Sequence, residues 1–103
     1  MKLDLTSAAL EDLRSIRAYT LERWGPDQEA RYLSSMWDRF ETLLADPTRL
    51  RSRPDLFSGC RMASEGKHVI LFRVQGNVLQ VVRVLHSAMD FKRHIPRELL
   101  PGK

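Results

Sequence analysis

A chain of 103 residues, 43% hydrophobic and 29% charged, is expected to form one domain spanning 1–103, with a modest buried core. No apolar run approaches the roughly 18 residues needed to span a bilayer. The opening MKLDLTSAAL carries Asp4 early and has no long apolar stretch, so neither a membrane anchor nor a signal peptide is expected. Cys60 is the single cysteine, which excludes an internal disulfide and a C-x-x-C metal pair, and a reducing cytoplasm is the expected compartment. The net charge of +4 is unevenly placed: residues 1–46 hold 6 Lys/Arg against 9 Asp/Glu, and residues 47–103 hold 11 against 4. A basic back half suits an acidic partner, protein or nucleic acid.

In chain order, KLDL at 2–5 alternates and reads as a short strand. Thr6 or Ser7 can cap the helix that follows, with Leu10, Leu13, Ile16 and Tyr19 or Thr20 at helical spacing. Gly25 ends it through a left-handed cap, and Pro26 opens a second helix. Ala30, Leu33, Met36, Trp37, Phe40, Leu43 and Leu44 form a wide apolar stripe on that helix, with Trp37 and Phe40 expected in the core. Asp46-Pro47 stops it. The short link folds the helices into an antiparallel hairpin.

Residues 47–58 have no periodicity and read as a loop carrying Arg49, Arg51 and Arg53. A strand is predicted over 59–64, a turn at Glu65-Gly66, a long strand KHVILFRVQ, a two-residue turn at Gly76-Asn77, and a last strand VLQVVRVLH. Residues 88–95 suit a short terminal helix, and the tail from Pro96 is expected to be loose. The result is an α+β fold of order β-α-α-β-β-β, with the helical hairpin packed on one face of a small antiparallel sheet.

The Gly76-Asn77 turn pairs Phe72 with Val81 and Ile70 with Arg83. Ile70, Phe72, Val74, Leu79, Val81 and Leu85 then face the helices, while Val69, Leu71, Val82 and Val84 form a second face too apolar to be left wet. Arg83 falls on the helix side, where a charge is costly. Either it reaches an acid at the sheet rim, or a bulge shifts the register and turns it outward.

The blocks AALEDLRSIRAYTLERWG, QEARYLSSMWDRFETLLADP, GCR with HVILFRV, and VVRVLHSAMDF together resemble the ParE branch of the RelE/ParE toxin superfamily, from type II toxin–antitoxin modules. The resemblance covers almost the whole chain and implies the same order of elements. It implies a ParD-like antitoxin of ribbon-helix-helix type as partner, with DNA met only indirectly through that autoregulatory complex. It also implies inhibition of DNA gyrase or another type II topoisomerase, with no cofactor, membrane or small-molecule substrate. Relatives of the RelE kind are instead ribosome-dependent endoribonucleases, and a non-toxic antitoxin-binding co-repressor is a third possibility.

A metal-free ribonuclease needs a base, an acid and cations on the phosphate. Arg51, Arg53, Arg61 and Arg83 could supply the cations and His86 or His94 the acid–base group, but arginine itself is a poor proton carrier. His86 stands four residues before Asp90, a pair that serves either to orient the imidazole or to cap the terminal helix. His68 is expected as a satisfied buried histidine and Cys60 as an inert, half-buried thiol. The terminal stretch His86, Met89, Asp90, Phe91, Lys92, Arg93 and His94 reads better as a grip on a target. Trp24 and Tyr32 as anchors, Arg61 and Arg73 as cations, and Val82 and Val84 on the second sheet face are the expected antitoxin contacts.

Overall fold

The structure is a computed structural model and describes residues 1–100. Strand β1 (Lys2–Leu5) leads into helix α1 (Ser7–Trp24), which turns back as α2 (Pro26–Ala45). Then come β2 (Arg51–Ser52), β3 (Arg61–Glu65), β4 (His68–Gln75) and β5 (Val78–His86), with short 3₁₀ turns at Pro47–Arg49, Phe91–His94 and Arg97–Leu99. The five strands form one sheet in the order β1-β5-β4-β3-β2. β1 joins β5 in parallel, and the other pairs are antiparallel, so the sheet is mixed.

Local chemistry explains the boundaries. Thr6 caps α1, its Oγ1 accepting the Ala9 N–H at 3.0 Å. Gly25 joins the helices at φ 90° and ψ 174°, a positive φ as expected but outside the left-handed helical well. Its N–H donates to Leu21 O, and its carbonyl accepts from Glu29 N–H, so one residue ends α1 and starts α2. Gln75 pairs with Val78 across the two-residue Gly76-Asn77 turn, and Glu65 pairs with His68 across Gly66-Lys67.

Both faces of the sheet are covered by the chain. Ala9, Leu13 and Ile16 of α1 and Met36, Phe40 and Leu43 of α2 bury one face against Ile70, Phe72 and Val81. Fully burying each large apolar side chain contributes about 1.5–3 kcal/mol. Trp37 departs from the expected core role: it is 43% exposed and packs edge-on against Phe40. Leu10 and Tyr19 also lie on the outside of α1. The second face carries Val69, Leu71, Val82 and Leu85 under Leu56, Phe57, Cys60 and Ile95. The 53–60 loop and the terminal segment therefore form a third layer. Leu99 and Leu100 pack against it, so the tail as far as 100 is anchored rather than loose, and its last three residues lie outside the described part.

The two faces are divided by a bulge. Phe72 faces Val81 as expected, but Leu71 faces Arg83, leaving Val82 as an extra residue on β5. Beyond it the register moves by one, and Ile70 faces Val84 rather than Arg83. Val84 consequently joins the helix-side core and Leu85 the opposite one, the reverse of the simple alternation.

Candidate functional site

β1 accompanies β5 only as far as Val81, so the outer edge of β5 would be bare beyond that point. The start of α1 takes it over. Thr6 N–H donates to Val81 O and Thr6 Oγ1 to Val82 O. Asp12 Oδ2 accepts Val84 N–H at 2.9 Å. Both Asp12 oxygens also receive the Arg83 guanidinium, at 2.6 and 2.7 Å, and the remaining Arg83 Nη1 donates to His94 O at 2.6 Å. Asp12 raises the Arg83 pKa above its ordinary value. Both routes foreseen for Arg83 are thus taken together, a bulge and an acid at the rim.

Next to this clamp, α1, the start of α2 and the ends of β4 and β5 enclose a groove of about 710 Å³. Tyr19, Trp24, Tyr32, His68, His86 and Met89 are among its lining residues. Trp24 is 64% exposed, Tyr19 61% and Met89 45%. Such large apolar side chains gathered at one groove mark a surface shaped for a partner. His68 and His86 face each other across β4 and β5, with ring centroids 5.6 Å apart. The Tyr32 hydroxyl donates to Glu65 O and contacts His68 Nδ1. Since a carbonyl can only accept, the single hydroxyl proton goes there and His68 Nδ1–H donates to the phenol oxygen. Burial, reinforced by His86, lowers the His68 pKa. Burial also raises the Tyr32 pKa. His86 Nδ1 accepts Ala88 N–H at 3.1 Å and makes no hydrogen bond to Asp90 among the described residues. Neither foreseen role of that pair is formed, because the chain turns at Ser87-Ala88 and only a 3₁₀ turn follows.

The arginines scatter over the molecule. Arg53 grips Asp55 with two 2.9 Å bonds, which holds the Asp55 carboxyl down at about 2. Arg61 Nη1 donates to Thr48 O and Leu50 O, fastening the loop after α2. Arg73 donates to Gln80 Oε1, and Gln80 in turn donates to Asp4. Arg51 is exposed on the edge strand. Val82 and Val84 are buried by the chain itself, so the sheet face expected to await an antitoxin is already filled. In the terminal segment, Asp90, Lys92 and Arg93 are exposed, while Phe91 packs against the second core. Cys60 is fully buried, which pushes its thiol up to about 12.

Residues 3–91 match the model of the ParE toxin of the type II toxin–antitoxin system parDE. The chain belongs to the ParE toxin family. Toxin ParE1 of Mycobacterium tuberculosis is 36% identical over 92 residues, covering 88% of this chain and 94% of that protein. Toxin ParE1 of Caulobacter vibrioides is 32% identical over 91 residues, with the same coverage. A structure from the chromosomal ParDE system of P. aeruginosa superimposes with a TM-score of 0.72 at 23% identity, over 84% of this chain and 95% of that one, a likeness of fold.

In this ParE-family chain the groove gathers residues whose sequence signals point to separate surfaces. Trp24 and Tyr32 were expected on one surface and His86 and Met89 on another, yet all four line one groove. Tyr19, Lys67 and His68 also line it and were not foreseen there. The missing signal was the bulge: unbroken alternation sets His68 opposite Leu85, and one extra residue sets it opposite His86.

Proposed function

We propose that this toxin acts without making or breaking bonds, by inhibiting a type II topoisomerase, with DNA gyrase as leading target, and that a ParD-like antitoxin neutralises it. An apolar segment of that antitoxin occupies the groove bounded by Trp24, Tyr19 and Tyr32, and the complex meets operator DNA through the antitoxin. The cationic terminal segment, with Lys92 and Arg93 exposed, holds the target. The observation carrying the non-enzymatic reading is the state of Arg83. Each of its three nitrogens donates a hydrogen bond within the chain, Nε and Nη2 to Asp12 and Nη1 to His94 O. A phosphate clamp needs that cation free. Arg53 and Arg61 are likewise engaged within the chain, and His86 lies in the separate groove.

The test sets two assays side by side. Purified toxin should block gyrase supercoiling or raise the yield of cleaved DNA while leaving translated mRNA intact. Cleavage of mRNA on ribosomes with gyrase untouched overturns this reading in favour of a RelE-like ribonuclease. Normal growth on expression without antitoxin would point instead to a co-repressor.

A further inference from the structure

His68 and His86 form a pair that the proposed toxin mechanism does not use. They are cross-strand neighbours at the end of the β4–β5 ladder, and both line the groove. On each ring one nitrogen is engaged, His68 Nδ1 with Tyr32 and His86 Nδ1 with Ala88, which leaves both Nε2 atoms without a protein partner among the described residues. The Tyr32 contact makes His68 Nε2 the lone-pair nitrogen. A ring nitrogen donating to an oxygen while the other is left bare is the arrangement that orients metal-binding histidines.

The geometry points to a site for an imidazole-preferring divalent transition ion, zinc or nickel, held by His68 Nε2 and His86 Nε2. Metal–nitrogen bonds of about 2.0–2.1 Å put two imidazole centroids on one ion roughly 5–6 Å apart. The observed separation is 5.6 Å, with the rings at 79°. His68 already holds the tautomer this requires. His86 must take its other tautomer, its proton passing through water from Nε2 to Nδ1. Ala88 N–H then turns to solvent, which it can do because that residue is exposed. No proton is gained or lost overall. Two protein nitrogens leave coordination positions for water or for a side chain entering the groove.

The experiment is calorimetric titration of the untagged full chain with Zn²⁺ and Ni²⁺ at about pH 7.5, where histidines are neutral, with Mg²⁺ as an oxygen-preferring control. The expected result is saturable one-to-one binding of the transition ions and none of Mg²⁺. His86→Gln, an exposed position, and His68→Gln should each weaken binding by about tenfold or more, while His94→Gln changes nothing. Circular dichroism checks that the His68 variant is folded, and His86→Gln decides the matter if it is not. Absence of saturable zinc binding by the native chain, or binding unchanged in His86→Gln, overturns the site.

Discussion

At residue scale, Gly66 shows how tightly the groove floor is set. It lies at φ 57°, and an added Cβ would stand 2.7 Å from the Tyr32 ring. Gly66→Ala must strain the turn and displace the phenol holding His68. The expected loss is about 2 kcal/mol, read as a lowered urea midpoint. His68 adds a pH dependence. Its folded pKa is depressed below the unfolded value of about 6.5. On acidification the unfolded chain therefore takes up a proton first. The stability from keeping this ring neutral is complete above about pH 6.5 and is lost as pH falls below it. Its surroundings contribute Asp12, Lys67 and His86 from the groove wall, with Tyr32 on Nδ1. Denaturation midpoints should fall less steeply with acid in His68→Gln than in the native chain. Cys60 is buried and its thiol raised, so thiol-labelling reagents should modify it only as fast as the chain opens.

At the scale of elements, the clamp from α1 through β5 to the terminal segment is the connection to break. Asp12 and Arg83 have side chains 12% and 20% exposed, so removing one partner strands a largely buried charge. Arg83→Ala should cost about 3 kcal/mol, and the Asp12→Asn/Arg83→Met double variant less than the sum of its parts. Because Arg83 also holds His94 O, amide exchange over residues 91–99 should quicken in Arg83→Ala. The elements themselves were legible in the sequence because their signals are local: Thr6 before an apolar stripe, Gly25-Pro26 between helices, Gly76-Asn77 between alternating runs. The terminal helix was not, since Asp90 to Ile95 close only a 3₁₀ turn once Phe91 and Ile95 turn to the second core. The 53–60 loop read as mere connection because Leu56 and Phe57 show no period; only the finished sheet reveals what they cover.

At the scale of the whole molecule, the halves of opposite charge occupy different layers. The helices form the outer layer on one side, and the loop with the terminal segment, including Lys92 and Arg93, forms the other. The proposed antitoxin and target surfaces are accordingly separable by mutation. Trp24→Ala should weaken antitoxin binding by about 2 kcal/mol or more while sparing gyrase inhibition. Lys92→Glu/Arg93→Glu should do the reverse, lowering inhibition in the supercoiling assay with antitoxin affinity retained. If both variants impair both assays equally, the division of surfaces is wrong.

Val82 gives β5 two phases within nine residues, so one strand feeds two separate interiors and still delivers a cation to its rim. Position 82 thus matters first as a count and only second as a valine. Exchanging it for isoleucine asks for slight repacking. Deleting it would close the bulge, with Leu71 still facing Arg83 and His68 still facing His86, but Arg83 would then follow Val81 directly and inherit the place on the second core that buried Val82 now fills. Within this strand, tolerance to substitution and tolerance to a change of length should therefore be very different properties.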